Sequence, residues 1–295
     1  MSTNTSHDGP RIDVALVRHL VSTQFPRWAH LPVSPVLLSG WDNRTFHLGD
    51  EMSIRLPSAG HYASAVTKEQ TWLPRLAPHL PLPIPQPLAM GEPSDAYPWQ
   101  WSIYRWLDGE VATKDSITNL SRFARDLADF LLALQAIDPQ GGPKPVLRGG
   151  SLEPWQEQVE AALDALAGHI DVRAAAEIWG QARRAPFNAE PVWYHGDIAA
   201  GNLLVQHGGL NAVIDFGGLG VGDPACDMSI AWTLLEPASR QVFRERLAVS
   251  DAIWNRGRGW ALWKGMIVIA NIIETNPIEA ASSQYAIDQL IADYG

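Results

Sequence analysis

Cysteine is nearly absent from this 295-residue chain: there is one, Cys226, so no intramolecular disulfide can form, which fits a reducing compartment such as the cytoplasm. Long apolar runs are missing too. A stretch such as Met266 to Ala270 is far too short to span a bilayer, and Met1 to Arg11 is polar with no apolar core, so neither a membrane span nor a secretory leader is expected. Basic residues are in deficit, 22 Lys and Arg against 32 Asp and Glu. The net charge of −10 disfavours nucleic acid, whose binders carry a basic face. It would suit a cationic small molecule, although acidity of this size also serves solubility alone. There is no internal repeat and no low-complexity tail. With 46% hydrophobic residues the chain can bury a large core, and its length fits one closely coupled pair of domains.

What is present is concentrated in His195-Gly196-Asp197-Ile198-Ala199-Ala200-Gly201-Asn202 and, downstream, Ile214-Asp215-Phe216-Gly217. The segment between reads as a β-hairpin turning on Gly208-Gly209. Counting outward from that turn, Val205 faces Ala212, Leu203 faces Ile214, and Asn202 faces Asp215. Directly opposed residues share a sheet face with Cβ atoms roughly 5 Å apart, so the Asn202 amide and the Asp215 carboxylate converge on one point. Two protein oxygens, completed by water and phosphate, are how Mg²⁺ is held beside a nucleotide. Asp197, five residues before Asn202, is then placed to accept a proton from a substrate hydroxyl while the cation offsets charge on the transferred phosphoryl group. Each piece taken alone also fits a tight turn, a strand-end cap and an ordinary strand exit.

His-Gly-Asp-x4-Asn, then Ile-Asp-Phe-Gly, then Gly222-Asp223-Pro224-Ala225-Cys226-Asp227 resembles the aminoglycoside phosphotransferase family, the small-molecule relatives of protein kinases. The resemblance covers most of the chain. It implies an α+β, bilobal, protein-kinase-like fold with a β-rich N-terminal lobe over residues 1–106, ending in the hinge, and a mainly helical C-terminal lobe over 107–295. By motif match Asp197 takes the catalytic base position, Asn202 and Asp215 the metal positions, and Asp227 a position that braces the catalytic loop. His195, in the catalytic motif, is implied to be a packing and orienting residue. The catalytic-loop arginine that answers an activation-loop phosphate in protein kinases is here Gly196, and only Gly218 to Gly222 separates the Asp-Phe-Gly triplet from Asp223-Pro224. Asp223 reads as a helix N-cap with Pro224 at the first helical position, leaving no room for a peptide-docking segment.

Toward the N-terminus, Val14 to Val21 has a helical pattern and Ser34 to Pro57 reads as three strands. The turn at Gly40-Trp41-Asp42-Asn43 occupies the place of the kinase glycine-rich loop with one glycine rather than three; Asn43 or Ser39 could hydrogen-bond a phosphate there. In Met52 to Leu56, alternation puts Arg55 on the face opposite Ile54. By family position Arg55 matches the basic residue that holds nucleotide phosphates, usually Lys, and Glu69 on the helical stretch Ala63 to Leu76 matches its acidic partner. Glu69 beside Lys68 also fits a solvated surface pair. Eight prolines between Pro74 and Pro98 predict an extended, stiff connector. Trp99 to Leu107 reads as a strand entering the hinge, with backbone groups near Tyr104 to Trp106 as the candidate for the purine.

Leu120, Phe123, Leu127, Phe130, Leu131 and Leu134 recur at helical spacing. Further helices are expected at 154–167, 172–183, 225–235, 239–249, 258–274 and 283–293. The row Trp260, Lys264, Ile267, Asn271, Glu274 reads either as a cleft wall or as a solvated face. The expected activity is Mg²⁺-dependent transfer of phosphate from ATP or GTP to a hydroxyl of an aminoglycoside-like molecule. A macrolide, a choline-like amino alcohol or another metabolite is an alternative acceptor, and a non-catalytic nucleotide-binding module is the alternative of another class. Neither nucleic acid nor membrane is an expected partner.

Overall fold

Alternation of apolar and polar residues in 43–57 produces two strands whose even-numbered side chains turn to one face. Phe46, Leu48, Ile54 and Leu56 are all buried there. The computed structural model describes residues 10–36, 42–273, 275 and 277–294. It divides into two units, one comprising residues up to Pro78 together with Pro83–Asp108, the other His79–Leu82 and residues from Gly109 onward.

In the first unit, helix α1 (Val14–Gln24) opens on Asp13, whose carboxylate accepts from the Leu16 amide at 3.0 Å. Strands β1 (Val33–Pro35), β2 (Asn43–Leu48) and β3 (Met52–Pro57) follow, then α2 (Ser64–Leu76), β4 (Pro87–Gly91) and β5 (Trp101–Arg105). The five strands form an antiparallel sheet in the order β1-β2-β3-β5-β4. Val17, Leu20 and Val21 of α1 join Phe46, Ile54, Trp101 and Ile103 in its core. Ser39, Gly40 and Trp41, which carry most of the expected phosphate-contacting turn, lie outside the described residues.

The proline-rich piece is less extended than expected. Pro74 sits inside the last turn of α2, residues Ala77–His79 form a 3₁₀ turn, and Pro87 opens β4. A proline costs a helix one internal hydrogen bond, and near a helix end the cost is smaller because the Ala77 amide still reaches the Leu73 carbonyl.

The second unit contains β6 (Glu110–Val111), α3 (Leu120–Gln135), α4 (Gln156–Ala165), α5 (Val172–Arg184), β7 (Val192–Tyr194), β8 (Leu203–Gln206), β9 (Gly209–Val213), β10 (Gly220–Gly222), α6 (Ile230–Thr233), α7 (Pro237–Leu247), α8 (Asp251–Ile269) and α9 (Pro277–Ala292). The apolar stripe of α3, capped by Asn119, is buried and packs on α7, while α8 lies against α5 and α9. β6, β8 and β9 form one small sheet, and β7 pairs with β10.

Three expectations are corrected here. The segment expected as a helix over 225–235 is a 3₁₀ stretch, Pro224–Ser229, running into the single turn of α6. Asp223 does cap it, accepting from the Ala225 amide at 3.1 Å, and is clamped by Arg256 of α8 (Nε to Oδ2, 2.5 Å) with both side chains buried. The helix expected at 258–274 runs instead from Asp251, capped by Ser250, to Ile269, and Asn271 beyond its end has a left-handed backbone (φ 54°). Within the described part of the row from Trp260, Trp260 and Ile267 are core, neither cleft wall nor solvated face, Lys264 pairs with Glu279 at 2.8 Å, and Asn271 follows the helix; Glu274 lies outside the described residues.

The third correction is the hairpin. The left-handed residues are His207 (φ 53°) and Gly208 (φ 77°), so Gln206 pairs with Gly209. That tighter turn slips the register by two residues, and an extra residue in β9, Asn211, returns one. Leu203 therefore pairs with Val213, and Asn202 comes opposite Ile214, whose amide donates to the Asn202 carbonyl at 2.9 Å. Asp215 is one residue further on, in a left-handed conformation (φ 64°). A one-residue slip ordinarily moves a side chain to the other sheet face, so the convergence expected from a plain ladder does not follow from pairing alone.

Candidate active site

In the second unit the motif segment, His195 to Asn202, hangs between β7 and β8. Asp227, fully buried, fixes its start: Oδ2 accepts from the His195 amide and Oδ1 from the Gly196 amide, each at 2.8 Å. Burial raises the pKa of Asp227, while these two amides and the Arg148 charge act to lower it. Gly196 has φ 87°, and a Cβ there would lie 2.3 Å from the Gly218 carbonyl oxygen, so both the conformation and the space require glycine.

His195 is fully buried against Phe216, ring centroids 4.5 Å apart. Its Nδ1 accepts from the Asp197 amide at 3.1 Å and its Nε2 lies 3.0 Å from the Ile214 carbonyl, which places the proton on Nε2. Of the two residues expected in the catalytic motif, His195 thus ties the segment to the Ile214-Asp215 exit and touches no solvent, whereas Asp197 faces outward with its side chain 46% exposed.

Both carboxylate oxygens of Asp197 are held. Asn202 Nδ2 donates to Oδ2 at 3.0 Å and to the Asp197 carbonyl at 2.8 Å. On the other side, Arg148 Nη1 donates to Oδ1 at 2.5 Å and to the Gly196 carbonyl at 2.8 Å. With its nitrogen committed to Asp197, the Asn202 amide has only its oxygen to offer a cation. An amide oxygen and a carboxylate such as that of Asp215 are the ligand types a hard cation takes, but the corrected register sets Asn202 opposite Ile214 rather than Asp215. Among the described residues, no group of three or more His, Cys, Asp or Glu side chains could hold a metal by itself, so such a cation would complete its shell from phosphate and water. Arg148 was not legible in the motif. The one signal was its place in the long irregular connection from Ala136 to Leu152, since structureless loops of that length are commonly functional.

A second cluster lies in the first unit, on the sheet face opposite the core. Arg55 of β3 and Glu69 of α2 approach to 3.8 Å (Nη1 to Oε1), with side chains 15% and 6% exposed. Glu69 is therefore turned inward rather than forming a solvated pair with Lys68. The Tyr104 hydroxyl donates to Glu69 Oε2, and burial first, then the Glu69 charge, keep that phenol protonated. Tyr104 thus serves this cluster with its side chain. Trp106 packs on His47, ring centroids 4.1 Å apart. The Arg105 and Trp106 amides donate to the Gln86 and Glu51 carbonyls at 3.0 and 2.7 Å. Those two N–H groups are committed within the unit and are not the ones a purine would find. Asn43 sits at the first position of β2, opposite Pro57. Among the described residues no helix is long and apolar enough to cross a membrane.

Solved structures with the same fold include the GDP complex of wild-type aminoglycoside 2'-phosphotransferase-IIIa, 16% identical with a TM-score of 0.68, the match covering 96% of this chain and 99% of that one. The ADP-bound aminoglycoside phosphotransferase APH(2'')-Ib is 14% identical over 96% and 99% of the two chains, with a TM-score of 0.58. The apoenzyme of macrolide 2'-phosphotransferase MphH from Brachybacterium faecium is 19% identical over 94% and 97%, with a TM-score of 0.60. At these identities the likeness is one of fold. No curated protein sequence matches the chain. The model of the phosphotransferase enzyme family, APH, matches residues 35–262, a span that takes in Arg55, Glu69, the whole motif segment and Asp227. The chain belongs to the APH phosphotransferase enzyme family.

Proposed function

We propose that this protein transfers the γ-phosphoryl group of ATP or GTP to a hydroxyl of a small molecule, aminoglycoside-like in class, with Asp197 as the base. The acceptor oxygen bonds to the γ-phosphorus, the bond from that phosphorus to the β-bridging oxygen breaks, the hydroxyl proton passes to Asp197, and the nucleoside diphosphate leaves. The observation that carries the reading is a solvent-facing carboxylate, 46% exposed, whose two oxygens are nonetheless both anchored. Such a group has a fixed direction without being sealed from substrate, as proton transfer in a positioned complex requires. Mg²⁺, held through Asn202 and Asp215, would offset the charge of the transferred group. Arg55, oriented by Glu69, would bind the donor's phosphates.

One feature favours a second acceptor class. Val146 and Leu147, immediately before Arg148, are 88% and 68% exposed. Apolar side chains on the loop that reaches Asp197 favour an acceptor with an apolar face, such as a macrolide, over a polycation. The deciding experiment measures Mg²⁺-dependent release of ADP or GDP across aminoglycosides, macrolides and amino alcohols, with Asp197→Asn in parallel. Acceptor-dependent turnover that falls by roughly 10²-fold or more in the variant is expected. An Asp197→Asn protein with normal turnover would refute the base assignment, and nucleotide binding without transfer to any acceptor would favour a non-catalytic module.

A further inference from the structure

We propose that Arg148 is a positioning residue for phosphoryl transfer, holding the Asp197 carboxylate in its reactive orientation from a loop outside the catalytic motif; this rests on the reading of Asp197 as the base. The segment from His195 to Asn202 contains no lysine or arginine, so the cation beside Asp197 has to be brought from elsewhere. Arg148 supplies it, with a side chain only 26% exposed and one nitrogen shared between Asp197 Oδ1 and the Gly196 carbonyl. That nitrogen ties the carboxylate to the backbone of its own loop. Asn202 does the same from the other oxygen, reaching Oδ2 and the Asp197 carbonyl. Either tether alone would leave the carboxylate free to rotate about its Cβ–Cγ bond. Together they fix it.

The loop that carries Arg148 is built to hold it still. The Tyr194 hydroxyl donates to the Arg148 carbonyl at 2.8 Å, and the Asp223 and Val221 amides donate to the Gly149 and Pro143 carbonyls, both at 2.8 Å. Gly149 has φ 78°, and a Cβ there would lie 2.1 Å from the Tyr194 ring, so the backbone next to Arg148 is pressed against β7, the strand that leads into His195. The guanidinium also faces the charges of both Asp197 and the buried Asp227, which outweigh its own burial and raise its pKa. It is therefore a permanent counter-charge for the acidic groups that frame the catalytic loop.

The test uses the full chain with Arg148→Ala and Arg148→Lys beside wild type and Asp197→Asn. Crystal structures of the first two report the Asp197 carboxylate directly. Steady-state rates with Mg·ATP and Mg·GTP are taken on whichever acceptor the panel identifies, and with water as acceptor. The expected result is an Asp197 carboxylate spread over more than one rotamer in Arg148→Ala, kcat lower by about 10- to 100-fold, and nucleotide KM unchanged. In Arg148→Lys, the positive charge is restored and kcat recovers in part. A single, unmoved Asp197 conformer in Arg148→Ala, or a wild-type kcat in that variant while Asp197→Asn is inactive, would overturn the positioning role and leave the base assignment standing. An active Asp197→Asn protein would instead remove the base assignment itself. Should Arg148→Ala fail to fold, the rotamer and kcat of Arg148→Lys carry the same test, because the shorter lysine side chain does not bring its ammonium to the place where Nη1 meets Asp197 Oδ1 and the Gly196 carbonyl.

Discussion

Asn202 grips Asp197 twice with one nitrogen, at the backbone carbonyl (2.8 Å) and at Oδ2 (3.0 Å), so its amide nitrogen is committed and only the oxygen could serve a cation. In the proposed mechanism the base and the metal site share this side chain, so a single truncation should disturb both.

Asn202→Ala is expected to lower kcat roughly 10²-fold, since the carboxylate then keeps only Arg148 and the cation loses a ligand. A Mg²⁺ titration of the rate should also show a higher half-saturating concentration. If the Mg²⁺ dependence stays at the wild-type value, Asn202 is no metal ligand.

Asp227→Ala leaves the His195 and Gly196 amides buried and without their acceptor. The chain should lose about 3 kcal/mol of stability, between the costs of one and two unsatisfied buried donors. Urea denaturation of the two proteins checks this, and a loss below about 1 kcal/mol would mean that water or the backbone replaces the carboxylate.

Gly196→Ala meets two costs together, a left-handed backbone at φ 87° and a Cβ only 2.3 Å from the Gly218 oxygen. The conformation alone costs about 1–2 kcal/mol. The clash must be relieved by moving the catalytic loop, so activity should fall further than the melting temperature implies. Thermal melts read beside turnover of the folded fraction separate the two effects.

Asp293 follows α9 and accepts from Arg258 Nη2 at 2.7 Å and Trp232 Nε1 at 3.2 Å, with Arg240 at 3.3 Å from its other oxygen. Burial alone would raise its pKa, but those hydrogen bonds and charges hold it below the ordinary carboxylate range. A depressed folded value means that the contribution to stability is complete above the unfolded pKa, near 4, and is lost as pH falls through the folded value. Asp293→Asn should therefore be less stable than wild type at neutral pH, with the difference closing as pH falls through the depressed folded value. A difference that is constant with pH would show that the ion pairs do not contribute.

Part of the candidate site is legible in the sequence. The motif picked out Asp197 and Asn202, and strand alternation put Arg55 on the face where Glu69 of α2 meets it. Local patterns carry that information because a strand has a period of two and a motif has a fixed chain length. The hairpin was misread for the same reason. Two glycines at 208 and 209 looked like the turn, but His207 adopts the left-handed conformation, and an extra residue in β9, Asn211, then alters the count, which no residue type announces. Trp260 and Ile267 looked like part of a mixed row because helical spacing says which residues share a face and nothing about what covers that face.

The sequence by itself determined the family, the chemistry available at Asp197, Asn202 and Asp215, and the core face of α3, all of which depend on residue type and short spacings. Tertiary structure alone decided that Arg148, dozens of residues from the motif, closes on Asp197, that Asp227 spans the amides of His195 and Gly196, and that Asp223 finds Arg256. Those partners lie far apart along the chain. What joins them is the packing of loops against β7, β10 and α8, a property of the folded molecule that no local spacing encodes.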